Sequence, residues 1–436
     1  MRIDRLAVPL AALLLGGCAL AGPKGGSSTA TPYKAPEVSD GHAGRGLKLV
    51  YVSHLGRHGS RYFTSDKRLK KMRGALDEAA AAGALTPAGH RLRDAVAEFM
   101  RVSDYENVTP LAAWQQKGIA GRLAAENPEL FGGPWNGKKV RTLTTFKKRT
   151  QDTRDAFLAE LAARTGADPA KDFTNLISTG CEPLRFFDCD AKYQAYKEAR
   201  AWLAAPAYKA LAPETDAWAR QLLAQFAAPA WLGELAAGRA AAAYFASPAE
   251  MAECLYDIAG VETGLGRDLL GFRNYFSSGE LAWFEYLADY SDFYEKGPGS
   301  PGSAVTYGMA RGLLRDFLDG AQRAVDDPAA SPAADFRFAH AETLLPLAAL
   351  MALEGASEQA AEYPFKGRRW KGAAVAPMSA NIQWRLYRAL DGEYKLRVLL
   401  NERPAAIAGL KENAGRYYDW EAVKRFYEAR LAQTGG

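Results

Sequence analysis

Residues 47–53, LKLVYVS, are an almost unbroken apolar run bounded by glycines, the pattern of a strand buried on both faces, and the chain leaves it directly into HLGRHGSR. After Ser65 the sequence turns rich in Lys, Leu and Ala. Beyond Thr86-Pro87 the apolar residues Leu92, Val96, Phe99 and Met100 recur at helical spacing. A third helical pattern follows Thr109-Pro110 through LAAWQQKGIAGRLAAEN; KVRTLTT then reads as a strand and RTQDTRDAFLAEL as a helix. This order predicts an α/β layer architecture, with helices covering a mainly parallel sheet.

From Asp168 to Gly299 long Ala-rich helical stretches take over, broken by PAYKALAPET, FAAPAWLG and EKGPGSPGS, with FTNLIST the one strand-like run. This reads as a helical insertion. The α/β pattern resumes with a helix over Ser303 to Val325, the short strand DFRFA and a helix from Thr343 to Leu353. ANIQWRLYR and EYKLRVLL alternate around Asp391-Gly392, a hairpin signal, and Asp419 is placed to cap a C-terminal helix carrying Trp420, Val423, Tyr427 and Leu431.

The N-terminal residues change the picture of where such a chain works. Two arginines precede an apolar run from Leu6 to Leu15, too short to span a bilayer core of about 30 Å, which predicts a signal peptide over residues 1–17. Leu15-Gly16-Gly17-Cys18 resembles the lipobox of bacterial lipoproteins, so Cys18 is the expected lipidation site, on a protein exported and anchored to the bacterial outer membrane, facing the periplasm or the cell surface. Twelve of the twenty residues from Gly22 to Gly41 are Gly, Ser, Thr or Pro, and residues 18–45 read as a flexible tether. In that oxidising setting Cys181 and Cys189 can bridge, leaving Cys254 free; three buried thiols are the alternative. Paired cysteine motifs and Cys/His clusters are missing from the sequence, so no metal or other cofactor is expected.

The 436 residues are 48% apolar, enough for a sizeable core, and carry 55 Lys plus Arg against 50 Asp plus Glu. A balance this small, with both signs mixed, excludes a nucleic-acid binder that works by net charge and puts any anion binding down to local clustering. Residues 57–73 and residues 138–154 each hold seven basic side chains against one acidic one. These clusters predict a positive pocket and a polyanionic small-molecule partner.

His58 stands between Arg57 and Gly59 just past the first strand, with Arg61 three residues on. Ligands of open α/β sheets bind beyond the carboxyl ends of strands, so this loop aims two guanidiniums and an imidazole at one space. RHGSRYFTS resembles the signature of the histidine acid phosphatases, and YVSHLGRHGSRY the multiple inositol-polyphosphate phosphatase group. A second motif, DFRFAHAETLLPL, places His340 after a short strand and Glu342 two residues later; in that group the Glu of His-Ala-Glu is the proton donor. Further likenesses are LRFFD (184–188), KKRTQDT around Arg149, DFYEKGPG (292–299) and LRVLLNERP (396–404). Cys189 departs by standing one position earlier than the family's usual cysteine, which weakens a disulfide carried over from the family, and Phe63 stands where relatives often have proline.

The resemblance implies a phosphoglycerate-mutase-like mixed sheet flanked by helices, its catalytic domain split over residues 46–167 and 300–436 by an α-helical insertion domain at 168–299. It also implies phosphatase activity on inositol polyphosphates, chiefly phytate. In physical terms Arg57, Arg61 and Arg149 would grip the non-bridging oxygens of a phosphate, with His340 as a fourth donor. Clustered positive charge would hold His58 neutral for attack on phosphorus, giving a phosphohistidine. Glu342 would protonate the leaving alkoxide and then activate water, its pKa raised by the incoming anion. The helix after His340 would aim N–H groups at the phosphate. Arg185, within LRFFD, is a further substrate-binding candidate. His54 and His58 are four apart, but flanking glycines argue against a helical metal pair. The competing readings are a broad-range histidine acid phosphatase and an envelope lipoprotein that only binds polyanions; a monomer is expected in each case.

Overall fold

The structure is a computed structural model that describes residues 26–37, 44, 46–131, 135, 137–266, 270–363 and 370–433. Cys18, the leader peptide and His42 lie outside the described residues. The apolar run at residues 47–53 continues to Arg57 as strand β1 (Leu47–Arg57). Helices α1 (Lys67–Ala81), α2 (Pro87–Val102) and α3 (Pro110–Glu126) follow, then β2 (Val140–Thr145), α4 (Lys148–Thr165) and β3 (Phe173–Ser178). Thr86 caps α2 by accepting from the Gly89 N–H at 3.0 Å, with Pro87 as first helical residue.

The main helices that come next are α5 (Ala191–Ala199), α6 (Ala212–Leu223), α7 (Pro229–Ala236), α8 (Pro248–Thr263), α9 (Ser278–Lys296) and α10 (Arg311–Asp326). The chain returns to the sheet through β4 (Ala334–Ala339), α11 (Ala341–Leu350), the hairpin β5 (Asn381–Ala389) and β6 (Tyr394–Leu400), the short β7 (Arg403–Pro404) and β8 (Tyr418–Asp419), and α12 (Trp420–Gln433). The sheet runs β3-β2-β4-β1-β5-β6-β7, with β8 also on β6. Strands β3, β2, β4 and β1 are parallel, and β5 to β8 add an antiparallel flank. The sheet is therefore mixed. Two cores cover its faces: Val52, Phe157, Phe336 and Phe338 lie in one with α3 and α4, while Leu55, Leu344 and Trp384 lie in the other with α1, α2 and the helices of residues 186–296.

Several boundaries differ from the sequence reading. Helix α10 begins at Arg311 and not at Ser303: residues 303–307 form coil and turn, and a short 3-10 helix over Gly308–Ala310 leads into it. Helix α11 begins at Ala341, so His340 is its N-cap and Glu342 sits in its first turn. Asp419 does not cap α12; its carboxylate accepts from Lys395 Nζ at 2.5 Å and Asn413 Nδ2 at 2.9 Å. Cys181 and Cys189 are disulfide-bonded and Cys254 is a buried thiol.

The largest departure is in the tether. Residues 26–37 are docked and not free: Ser27, Ser28 and Tyr33 are buried. A backbone bond from Met378 N–H to the Thr31 carbonyl (2.8 Å) and a side-chain bond from Tyr33 Oη to Glu402 Oε2 (2.6 Å) hold the segment against the body. Composition suggested flexibility because there is little apolar surface to bury; hydrogen bonds supply the order instead.

Candidate active site

In-register pairing of the two central parallel strands sets Arg57 opposite Ala339. The next residue on each strand, His58 and His340, therefore emerges at the same edge, with ring centroids 5.6 Å apart. Glu342 follows within the first turn of α11, and Arg149 comes from the first turn of α4, after the adjacent parallel strand β2. The two distant motifs thus meet at the carboxyl ends of β1, β4 and β2.

His58 is buried, its N–H donating to the Ala339 carbonyl at 2.9 Å and its own carbonyl accepting from Ser379 at 3.0 Å. The ring Nδ1 lies 3.0 Å from the Gly59 carbonyl, so Nδ1 carries the proton and Nε2 keeps its lone pair. Burial comes first, then Arg57, Arg149 and Arg61, in holding this imidazole well below its ordinary pKa. It is a neutral, pre-oriented imidazole. Gly59 is required by close approach: a Cβ there would stand 2.3 Å from the Ala112 Cβ and 2.8 Å from the Ala112 Cα on α3. Its N–H donates to Thr153 Oγ1 at 3.1 Å, tying the loop to α4.

Arg57 is buried, with one terminal nitrogen donating to the carbonyls of Thr29 (2.5 Å) and Ala376 (2.6 Å). Arg61 donates to the Tyr62 carbonyl at 2.9 Å. Burial, with repulsion from Arg149, pushes both guanidiniums down to about 10, and Arg149 is lowered chiefly by burial. Three crowded cations with no carboxylate bonded to them form a site that gains from an anion.

His340 differs from its expected role. Its Nε2 lies 3.1 Å from Thr145 Oγ1, itself 2.9 Å from Thr150 Oγ1, and its Nδ1 lies 3.4 Å from the Arg149 guanidinium. A guanidinium only donates, so Nδ1 accepts and Nε2–H points at Thr145. Burial and the neighbouring Arg149 push this imidazole down to about 3. As arranged it orients Arg149, and a bond to phosphate requires the other tautomer.

Glu342 also departs from expectation. Burial favours its neutral form, but Lys296, His340, its own backbone N–H and Arg57 outweigh burial and hold the carboxyl well below the carboxylate range. The group is ionised before substrate arrives. Lys296, at the end of α9, is paired with Asp292 at 2.8 Å and is the largest of these opposing influences; the sequence reading quoted its string without assigning it a role. The helix N-terminus offers fewer donors than expected, since the N–H groups of Thr343 and Leu344 bond the His340 carbonyl at 3.2 and 3.1 Å.

Arg185 lies beside this group. Thr343 Oγ1 donates to the Leu184 carbonyl at 2.7 Å, fixing the loop, and Arg185 pairs with Asp188 while its guanidinium sits 4.7 Å from the Phe146 ring centroid. The two positively charged runs are another matter. Arg68 pairs with Asp257, Lys70 with Asp66, Lys71 with Glu250 and Arg73 with Asp77. Arg141 pairs with Asp335, Lys148 with Asp152 and Arg154 with Asp155. Five of the twelve excess charges are met by carboxylates outside the two runs, so the local excess is reduced, and the charge at the candidate site is carried by Arg57, Arg61, Arg149, Arg185 and Lys296. His54 is packed among Phe157, Phe336 and Phe338, away from this edge. Among the described residues no group of three His, Cys, Asp or Glu is placed to hold a metal ion, and no helix is long and apolar enough to cross a membrane.

A neutral imidazole with one free nitrogen, set among guanidiniums at the end of a central parallel strand, defines a phosphatase that works through histidine. Residues 48–401 match the family model of the histidine phosphatase superfamily (branch 2), and the chain belongs to that family, whose general chemistry runs through a phosphohistidine. It is 25% identical over 422 residues to the human multiple inositol polyphosphate phosphatase 1, covering 90% of this chain and 81% of that one. Against the chicken (Gallus gallus) protein of the same name it is 27% identical over 394 residues, with 85% and 80% covered. The fold is similar to that of the Bifidobacterium longum multiple inositol polyphosphate phosphatase in complex with inositol hexasulfate, at TM-score 0.82 and 23% identity, over 91% of this chain and 96% of that one. The phytase of D. castellii is a more distant likeness, at TM-score 0.68 and 14% identity, with 93% and 84% covered.

Proposed function

We propose that this protein hydrolyses the phosphate monoesters of inositol polyphosphates, phytate among them, with His58 as nucleophile and Glu342 as proton donor. The observation that carries the reading is the free Nε2 of His58 facing a site that holds three guanidiniums and, on the far motif, one carboxyl. Arg57, Arg61 and Arg149 bind the non-bridging oxygens and neutralise charge as it moves in the transition state. His58 Nε2 forms its bond to phosphorus as the bond to the inositol oxygen breaks, and the proton on Glu342 goes to that oxygen. Water, deprotonated by Glu342, then cleaves the phosphohistidine and restores both groups. A polyanion suits a donor that is ionised at rest, because its remaining phosphates raise the pKa of Glu342 and draw on Lys296, with Arg185 at the rim.

A broad-range monoesterase is the second reading, favoured by the ion pairing that neutralises the lysine-rich helix faces. Phosphate release from phytate and from simple monoesters, measured with chelator present, decides between them. Preference for phytate supports the first, equal rates support the second, and no release from either leaves a polyanion binder. We further propose that the chain is exported, lipidated on Cys18 and anchored to the outer membrane as a monomer. Incorporation of labelled fatty acid that is lost in Cys18→Ser tests the anchor.

A further inference from the structure

Residues 27–33 join two parts of the site that the catalytic motifs leave apart. The Thr29 carbonyl accepts from Arg57, sharing that nitrogen with the Ala376 carbonyl. Its hydroxyl donates to Asp292 Oδ2 at 2.8 Å, and Asp292 Oδ1 holds Lys296 at 2.8 Å. Ser28, at φ +47°, donates to Asp289 Oδ1 at 2.6 Å. The fit is close: a Cβ at Gly372 would lie 2.5 Å from Ser28 Oγ. One residue therefore bonds both an arginine of the candidate site and the carboxylate that holds Lys296, whose charge acts on Glu342.

We propose that this N-terminal strap is a positioning element of the active site, with Thr29 setting Arg57 through its carbonyl and the Asp292–Lys296 pair through its hydroxyl. The proposal rests on the phosphatase reading above. A displacement of either cation by a fraction of an ångström removes charge from where the transition state needs it, and misplacements on the scale of 1 Å cost about a hundredfold in rate. Substrate binding through Arg61, Arg149 and Arg185 is left in place, so the effect falls on turnover more than on affinity.

The test uses the full chain and the near-isosteric Thr29→Val, with Thr29→Ser as the conservative partner. Turnover is expressed per phosphorylatable His58, so that loss of folded protein does not count, and binding of orthovanadate, a mimic of the transferring phosphoryl group, is measured by calorimetry. Expected for Thr29→Val are a fall of about tenfold in kcat, a KM within about threefold of wild type and vanadate affinity weakened about tenfold. Thr29→Ser should recover within about twofold, and Thr29→Val should add nothing in an Asp292→Ala background. Wild-type kcat and vanadate affinity in Thr29→Val, or a Thr29→Ser as impaired as the valine, overturns the proposal. Should the wild type release no phosphate, the functional reading fails while vanadate binding still decides the role of the strap.

Discussion

Nδ1 of His58 lies 3.0 Å from the carbonyl oxygen of Gly59, its own neighbour in the chain, and that contact fixes which ring nitrogen keeps its lone pair. The phosphoenzyme should carry phosphorus on Nε2, identifiable by phosphorus NMR of a sample quenched and digested at alkaline pH, where the P–N bond survives. His58→Ala should abolish turnover. Phosphorus found on Nδ1, or residual activity in the alanine variant, contradicts the assignment.

Glu342→Gln should lower kcat/KM for phytate, which reports phosphoryl transfer to His58, by roughly 10²–10⁴-fold while sparing kcat/KM for p-nitrophenyl phosphate, whose leaving group needs no proton. The charge of Lys296 favours the ionised form of Glu342, so removing that cation raises the carboxyl pKa. In Lys296→Met the alkaline limb of kcat/KM, which reports loss of the donor's proton in the free enzyme, should move to higher pH. A limb that stays put shows that another group sets it.

Arg149 and Arg185 should separate in kinetics. Arg149 touches His340 and flanks the nucleophile, and its replacement by Ala should lower kcat about 10²–10³-fold, the range for removing a preorganised transition-state donor. Arg185, held by Asp188 over Phe146, is placed to meet outlying phosphates. Arg185→Ala should raise KM for phytate several-fold more than KM for a monophosphate, and equal effects on the two would remove it from substrate recognition.

Acid should destabilise this fold through His54. Its ring is fully buried among three phenylalanines, and burial, with Arg337 and Arg385, pushes its pKa from 6.5 down to about 3. The unfolded chain binds the proton first. Stability from keeping this ring neutral is whole above pH 6.5 and is lost as pH falls toward 3, by roughly 4–5 kcal/mol. His340 and His58 act in the same direction. Urea midpoints between pH 7 and pH 4 should fall less steeply in His54→Leu; parallel curves would show that the ring does not titrate with unfolding.

The catalytic edge was legible because both halves are contiguous strings, each a buried strand running into a polar loop, and parallel pairing brings such ends together. Arg57, His58, Arg61, His340 and Glu342 could be placed at one edge on that basis, whereas Arg149 came from the family resemblance of its segment. The strap was not legible, since Ser28, Thr29 and Tyr33 are ordered by Asp289, Asp292 and Glu402, more than 250 residues away. Lys296 was hidden for a similar reason, its importance arising only where the end of α9 meets the start of α11. Charge counting misled in the opposite direction. Lys148 has its partner four residues along, but Arg68 and Lys71 find theirs on α8, which no count over residues 57–73 includes.

Those ion pairs bear on how substrate reaches the protein. With four of the five basic side chains of α1 already matched by carboxylates, little field extends from that face past the roughly 8 Å screening length of physiological saline. A dissolved polyanion is then recognised on arrival and not drawn in from afar, so added salt should weaken the grip of the pocket while leaving the frequency of encounter nearly unchanged.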